Sequence, residues 1–359
     1  MRSSIILLLM LGSIATAYAQ KSSAAPVITR YYYFTGAIDK YPVTFNLYRI
    51  NDKFSGSYYY NSTEEPIEVN GELDKNRFLK LSSSDREGSK TEVFSGSFKD
   101  SSFSGTWSYK GKLLPFRISQ QNDNSGLAFD YIYTTGSKKL TGDENSRPEL
   151  SFEAETIWPA ASAIHAATNL IKQAIYEAFG EKEGKEPIGK ILVRQKNELL
   201  NQPKTADGIM TYAASTTVRV EYRSAQLLTL AVFSYSDGGG AHGNYGTGYT
   251  CIDLVHNRTM GILDIMDTLA CRETVKSLLV KKFRTAYQLK KDENLTEYLF
   301  ENDIPITDNF YLTSKGIGFN YNPYEIGPYA LGIVSLYIPF NELTPCLNPE
   351  FKKLISPAP

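Results

Sequence analysis

Hydrophobic and polar side chains alternate in short runs between residues 30 and 120 of the chain. Turn-forming residues separate these runs about every eight to twelve positions, a spacing typical of an antiparallel meander. A Phe-x-Gly motif recurs in the runs and begins at Phe34, Phe54, Phe94 and Phe103. Each copy puts an aromatic ring and a glycine on the same side of a strand, where glycine permits a bend or a close backbone approach. The pattern predicts a β-rich N-terminal module that is a small barrel or a sandwich.

Helical and strand periodicities are mixed beyond residue 149. Apolar side chains at helical spacing predict one helix over residues 160–179 and a second over residues 273–289. Strand-like runs occupy residues 209–222, 225–235, 245–254, 310–313, 317–321 and 332–340. We therefore predict an α+β fold for the whole chain, in which the β-rich module precedes an antiparallel sheet that carries helices on one face.

A cluster of turn-forming residues separates the two patterned regions. Its members are Gly142, Asp143, Asn145, Ser146 and Pro148. Because such residues favour loops over regular elements, we place the boundary here. The predicted modules are residues 28–145 and residues 149–356.

The first nineteen residues have the features of a secretory signal peptide. Arg2 supplies a positive charge, residues 5–11 form an apolar run too short to span a bilayer, and Ala17-Tyr18-Ala19 fits the cleavage pattern. Gln20, not a cysteine, stands directly after that cleavage site, and no other apolar run is long enough for a transmembrane helix. We expect residues 1–19 to be removed and the mature chain, without a transmembrane segment, to be periplasmic or extracellular.

The composition is that of a globular protein. The formal net charge of -1 over 359 residues provides no basic field for nucleic acid. The 25 tyrosines suit half-buried strands and also surfaces that contact glycans or proteins. The three cysteines allow either three buried thiols or one disulfide, for which Cys271 with Cys346 is favoured because Cys251 lies in an apolar strand pattern.

Two loops carry the candidate binding residues. One contains three consecutive glycines at positions 238–240, whose conformational freedom allows a tight turn that ends near His242. The other covers residues 320–330 and is rich in proline and tyrosine, a composition typical of a rigid aromatic loop. We predict that the two loops form one exposed recognition surface. Its expected members are Asp237, His242, Asn244, Tyr321, Tyr324, Glu325 and Tyr329.

The same loops carry a resemblance to a known domain. Tyr-Ser-Asp-Gly-Gly-Gly-Ala-His-Gly at 235–243, Cys-Ile-Asp-Leu at 251–254, and residues 319–330 followed by Ile-Pro-Phe at 338–340 resemble the extracellular domain shared by RsiV and PdaC. Those proteins are a lysozyme-sensing anti-sigma factor and a peptidoglycan deacetylase. The resemblance implies a non-catalytic envelope module that binds peptidoglycan-like glycan or a lysozyme-like protein. The anti-sigma segment and the deacetylase domain have no counterpart here, so the resemblance implies neither of those activities.

The chemistry of these residues leaves alternatives open. His242 either works in acid–base chemistry or ties its loop to a nearby carbonyl group. Asp237 and Glu325 either form a carboxylate pair for glycoside cleavage, or Glu325 binds amides of its own loop. No set of nucleophile, base and orienting acid is recognisable, so we favour binding without catalysis and without a cofactor. The three dispersed histidines predict no metal site. A cell-wall glycan hydrolase and a lysozyme inhibitor remain the alternatives.

Overall fold

The structure, a computed structural model, describes six segments of the chain. These are residues 26–84, 90–121, 126–139, 149–182, 184–202 and 212–356. The predicted signal peptide and the predicted module boundary lie outside them. Within the six segments no helix has the length and apolar character needed to cross a membrane.

Eight antiparallel strands in the described part of residues 29–120 close into a barrel. They are β1 (Thr29–Ile38), β2 (Tyr41–Ile50), β3 (Lys53–Tyr60), β4 (Ile67–Leu73), β5 (Phe78–Ser84), β6 (Lys90–Lys99), β7 (Ser102–Tyr109) and β8 (Lys112–Gln120). β1 pairs with both β2 and β8, which closes the sheet. The predicted β-rich module is confirmed, and of the two architectures it forms the barrel.

The Phe-x-Gly motifs fill the barrel and let its strands approach closely. The rings of Phe103 and Phe116 pack edge to face inside, with centroids 4.7 Å apart. Gly96 and Gly105 lie opposite each other on β6 and β7, and a Cβ on Gly96 would stand only 2.0 Å from the carbonyl oxygen of Ser104. A side chain at this point of close approach between β6 and β7 would clash with the backbone, so glycine is required there.

The second module is built on a six-stranded sheet whose order is β14-β13-β12-β11-β10-β9. The strands are β9 (Phe129–Lys139), β10 (Glu149–Pro159), β11 (Ala213–Arg223), β12 (Leu227–Asp237), β13 (Asn244–Asp253) and β14 (Arg258–Met260). β10 and β11 are parallel, whereas the other neighbours are antiparallel. Helices α1 (Thr168–Ala178) and α2 (Ile188–Leu200) connect the parallel pair and pack on one face of the sheet.

A smaller sheet covers part of the opposite face. It has the order β15 (Phe310–Leu312), β16 (Gly316–Tyr321) and β17 (Val334–Pro339). The remaining helices are α3 (Ile262–Ile265), α4 (Arg272–Ala286), α5 (Phe340–Leu343) and α6 (Pro349–Ile355), with 3₁₀ turns at Leu295–Glu297 and Tyr329–Leu331. Leu227 and Cys251 of the large sheet share a core with Phe310 and Leu312 of the small sheet and with Phe283 of α4. The predicted α+β class is confirmed.

A disulfide joins Cys271 to Cys346, and Cys251 is a buried thiol. The bond links the start of α4 to the turn between α5 and α6. This is the pairing that the sequence favoured. Burial raises the pKa of the Cys251 thiol to about 12, so the thiol stays protonated in the folded protein.

The helix expected over residues 160–179 begins later than predicted. Residues 160–167 are turns and irregular backbone after β10, and Ile164, one of the apolar side chains at helical spacing, is 88% exposed. β9 pairs along its whole length with β10, so residues 129–139 belong to the six-stranded sheet. The predicted ends of the two modules stay predictions.

The barrel is attached to both sheets by hydrogen bonds. The Tyr48 hydroxyl accepts a bond of 2.7 Å from the backbone N–H of Val220 in β11. The Glu64 carboxylate accepts bonds from the backbone N–H and the hydroxyl of Ser314 at 2.9 and 2.8 Å. Because these contacts are buried or partly buried, they fix the barrel against the face of the large sheet that lies opposite α1 and α2.

Candidate binding surface

The glycine-rich loop between β12 and β13 is shaped by its residue types. The Asp237 carboxylate accepts a hydrogen bond of 2.8 Å from the backbone N–H of Gly239. Gly239 has φ +77°, and a Cβ there would stand 2.1 Å from Cε2 of Tyr212. Both the left-handed backbone and the lack of space require glycine at this position. The turn that results brings His242 to the surface.

His242 is the centre of an aromatic cluster. Its ring stacks on the ring of Tyr329 with centroids 3.8 Å apart, and its Nε2 lies 3.2 Å from the hydroxyl oxygen of Tyr324. Its Nδ1 lies 3.0 Å from the carbonyl oxygen of Gly243. A carbonyl oxygen only accepts, so Nδ1 carries a proton and donates to Gly243.

The two loops meet at the carbonyl group of Gly243. The Tyr329 hydroxyl donates to this oxygen at 2.7 Å, beside the contact that His242 makes with it. Tyr245 packs edge-on against Tyr329, with centroids 5.5 Å apart. Tyr245 was not among the predicted residues. Tyr245 lies directly opposite Tyr235 on the neighbouring strand β12. Such a cross-strand tyrosine pair beside the glycine-rich loop is the signal that could have identified it.

Asn322 anchors the proline- and tyrosine-rich loop to the large sheet. Its side-chain oxygen accepts a bond of 2.7 Å from the backbone N–H of Thr247 in β13. The Glu325 carboxylate accepts from the backbone N–H of Asn322 at 2.9 Å, and the N–H of Glu325 donates back to the Asn322 carbonyl at 3.0 Å. Tyr324 therefore lies in a loop that is tied down on both sides. Its φ of 72° and its exposed fraction of 55% show that the fold holds this ring outward at a conformational cost.

Tyr321 does not lie on this surface, which corrects its predicted place there. The residue is 1% exposed, and its hydroxyl donates to the Pro305 carbonyl at 2.5 Å. It ends β16, the central strand of the small sheet, and every residue of that strand is buried. Burial raises the pKa of its phenol well above the usual range. Strand alternation does not expose any residue in a strand that is covered on both faces.

The other predicted residues lie around the cluster. Asn244 and Glu325 are exposed, and Asp237 is partly buried at the end of β12. Asp237 and Glu325 each accept hydrogen bonds from backbone amides of their own loops. These residues frame a platform of three rings, from His242, Tyr324 and Tyr329, with polar groups at its edges. Such a platform can stack on the face of a planar or ring-shaped ligand and bind its hydroxyl or amide groups at the rim.

Comparisons with known proteins give one family match in the C-terminal part of the chain and similarities to two solved structures. Residues 264–341 match the family described as "Protein of unknown function (DUF3298)". The chain is similar to a solved structure of a DUF3298 family member from Bacteroides fragilis, with a TM-score of 0.52 and 25% identity over 64% of this chain and 97% of that chain. A DUF3298 family protein from Pseudomonas aeruginosa aligns with a TM-score of 0.48 and 15% identity over 66% of this chain and 100% of that chain. No curated protein sequence matches. The residues that match the DUF3298 family model include α4, the small sheet and the Tyr324 loop.

Proposed function

We propose that this protein is an exported, non-catalytic binding protein of the cell envelope that recognises peptidoglycan-like glycan. The binding surface is the ring platform of His242, Tyr324 and Tyr329. The observation that carries the proposal is the stacking of His242 on Tyr329 beside the exposed ring of Tyr324. This contact joins residues of two distant loops in one aromatic cluster, in which the Tyr324 ring is exposed.

A glycan fits this platform for two physical reasons. A pyranose ring has a face of C–H groups that can pack on an aromatic ring, and its edge carries hydroxyl and amide groups that can bind polar side chains. The platform is also held in place before any ligand arrives, by the bonds that Gly243 and Asn322 make. A preformed site spends little binding free energy on ordering its loops.

The resemblance to the domain of RsiV and PdaC supports both a glycan and a lysozyme-like protein as ligand. The size of the platform favours the glycan. A stable protein–protein interface buries about 800 Å² on each partner, which is far more than three side chains supply. A glycan chain needs only a few stacked rings.

Co-sedimentation with insoluble peptidoglycan tests the proposal. We expect the purified protein to sediment with the wall material and the double variant His242→Ala/Tyr324→Ala to stay in solution. Tyr41→Ala is the matched control, because Tyr41 is 47% exposed on the barrel, away from the loops. Equal sedimentation of the double variant and the wild type would remove the support for this surface.

Two further readouts separate the alternatives. Release of soluble muropeptides by the wild type, lost in Asp237→Asn or Glu325→Gln, would replace binding with glycan hydrolysis. Capture of lysozyme with loss of its activity, and no sedimentation with peptidoglycan, would replace glycan binding with inhibition.

A further inference from the structure

A second site lies away from the loop surface, where the barrel meets the large sheet. The cavity there has a volume of about 440 Å³. Six side chains give it its chemical character: Tyr48, Glu68, Arg219, Glu221, Phe233 and Tyr249. This volume falls within the range of about 300–1,000 Å³ typical of small-molecule sites. A single metal ion would leave most of it empty.

The topology explains why charged side chains meet here. Along β11, Val218 and Val220 pack toward α1 and α2, so Arg219 and Glu221 project from the opposite face toward the barrel. Glu68 reaches the same space from β4 of the barrel, whose interior is already filled by aromatic rings. Sequence alternation alone would assign these charged side chains to a solvent-exposed face. The barrel covers that face instead.

The positive charge of Arg219 is already engaged. Its guanidinium lies 2.6 Å from the Glu155 carboxylate and 2.9 Å from the Ser55 hydroxyl, and it stands over the ring of Tyr48 at 4.7 Å. The carboxylates of Glu68 and Glu221 form no hydrogen bond or ion pair with any residue that the structure describes. Among the described lining residues, Arg219 is thus ion-paired with Glu155, and the carboxylates of Glu68 and Glu221 have no ion-pair partner.

The electrostatics agree with this geometry. Loss of hydration raises the pKa of the Glu68 carboxyl, and the charge of Arg219 opposes that shift. Burial, and then the charge of Glu68, raise the pKa of Glu221 to about 8. Tyr249 and Tyr311 face Glu221, and burial raises the pKa of both phenols so that they remain neutral. A cation bound between the two carboxylates would oppose these shifts and favour the ionised form of Glu221.

We propose that this cavity binds a small organic primary amine. The ammonium group is held by Glu68 and Glu221, and the rest of the ligand packs against Phe233 and Tyr249. Carboxylates and aromatic faces both attract an ammonium group, and the apolar walls accept a carbon skeleton. The proposal does not depend on glycan binding at the loops.

Isothermal titration of the purified protein with cadaverine and with glucosamine tests it at pH 7. Pentanediol and glucose are the neutral counterparts. We expect at least one of the two amines to bind and its neutral counterpart not to bind. The amine that binds shows whether the cavity accepts an aliphatic or a sugar skeleton. Repeating the titration in phosphate and in HEPES buffer reports proton release, which we expect because a bound ammonium group favours the ionised form of Glu221, whose pKa is about 8.

Variants locate the binding. Glu221→Gln and Glu68→Gln should each weaken the amine by about tenfold or more, since each removes a charged hydrogen bond. Glu72→Gln is the matched control, because Glu72 lies on the same face of β4 outside the cavity and should leave affinity unchanged. His242→Ala/Tyr324→Ala should bind the amine normally, which separates this site from the loop surface. The proposal is overturned if neither amine binds, if the neutral counterparts bind equally well, or if calcium chloride binds in place of the amines. It is also overturned if Glu68→Gln and Glu221→Gln retain full affinity for the amine.

Discussion

The imidazole ring of His242 lies flat against the phenol ring of Tyr329, with centroids 3.8 Å apart and planes 23° from parallel. His242 comes from the loop that follows β12, and Tyr329 comes from the loop that follows β16. The same pair also shares the carbonyl oxygen of Gly243. The contact therefore holds the two loops in a fixed relative position in the folded protein.

Tyr329→Phe should loosen this junction without removing the ring. The variant loses the 2.7 Å bond to the Gly243 carbonyl, while the stacking on His242 remains possible. We expect the free energy of unfolding to fall by about 1 kcal/mol, the usual net contribution of one hydrogen bond. Urea unfolding measures the change. An unchanged unfolding curve would mean that the hydroxyl does not hold the loops together.

Gly239→Ala should destabilise the glycine-rich loop, because the new Cβ would meet the ring of Tyr212 and force φ +77° on a residue with a side chain. We expect a loss of about 1–2 kcal/mol in the free energy of unfolding. Gly240→Ala is the matched control, since a Cβ there meets nothing within 4 Å. Equal stabilities of the two variants in urea unfolding would contradict the account of this turn.

Glu221 should make the stability of the protein depend on pH. Its pKa is about 8 in the folded protein and near 4.5 when unfolded, so the folded state binds the proton more tightly. The stability that it contributes is complete below about pH 4.5 and is lost as pH rises through about 8. Glu68, Arg219, Tyr249 and Tyr311 are the charged and titratable groups that act with it.

Urea unfolding across this pH range measures the effect. The decline in unfolding free energy between about pH 5 and pH 8 should be smaller in Glu221→Gln than in the wild type. Glu72→Gln should follow the wild type. Identical slopes in the Glu221→Gln variant and the wild type would show that this carboxyl does not titrate in that window.

The disulfide should stabilise the second module. It links positions 75 residues apart, and the entropy of closing such a loop corresponds to about 4 kcal/mol. We expect Cys271→Ala/Cys346→Ala to lower the midpoint of urea unfolding, and a reducing agent to lower that of the wild type alone. Buried Cys251 serves as an internal probe. Iodoacetamide should label it only after unfolding, because burial raises the pKa of its thiol to about 12.

The periodicity of the sequence predicts the barrel and most of the second sheet, because those strands alternate cleanly between a packed and an open face. β10 and α2 were missed for different reasons. β10 carries Glu153 and Glu155 on the face that meets the barrel, which lowers the apolar signal of the strand. The apolar stripe of α2 is narrow and follows a polar stretch.

The loop surface was predicted from composition, and the cavity was not. Glycine, proline and tyrosine identify His242, Tyr324 and Tyr329, since those residue types constrain the local backbone. Tyr321 could not be placed correctly, because its burial depends on how the small sheet packs on α4. For the same reason the sequence did not indicate that Glu68 and Glu221 line one cavity, since this depends on how the barrel packs on the large sheet.

The three histidines of the chain offer the most direct test of glycan binding at the loop surface. His242 lies in the ring platform, whereas His165 accepts a bond from Ala167 before α1 and His256 contacts Asp253 after β13. Carbon–proton NMR spectra of the histidine rings can be followed while soluble peptidoglycan fragments are added. The account predicts that the His242 resonances shift and saturate while those of His165 and His256 stay in place. Movement of none of the three, or of His165 or His256 alone, would contradict it.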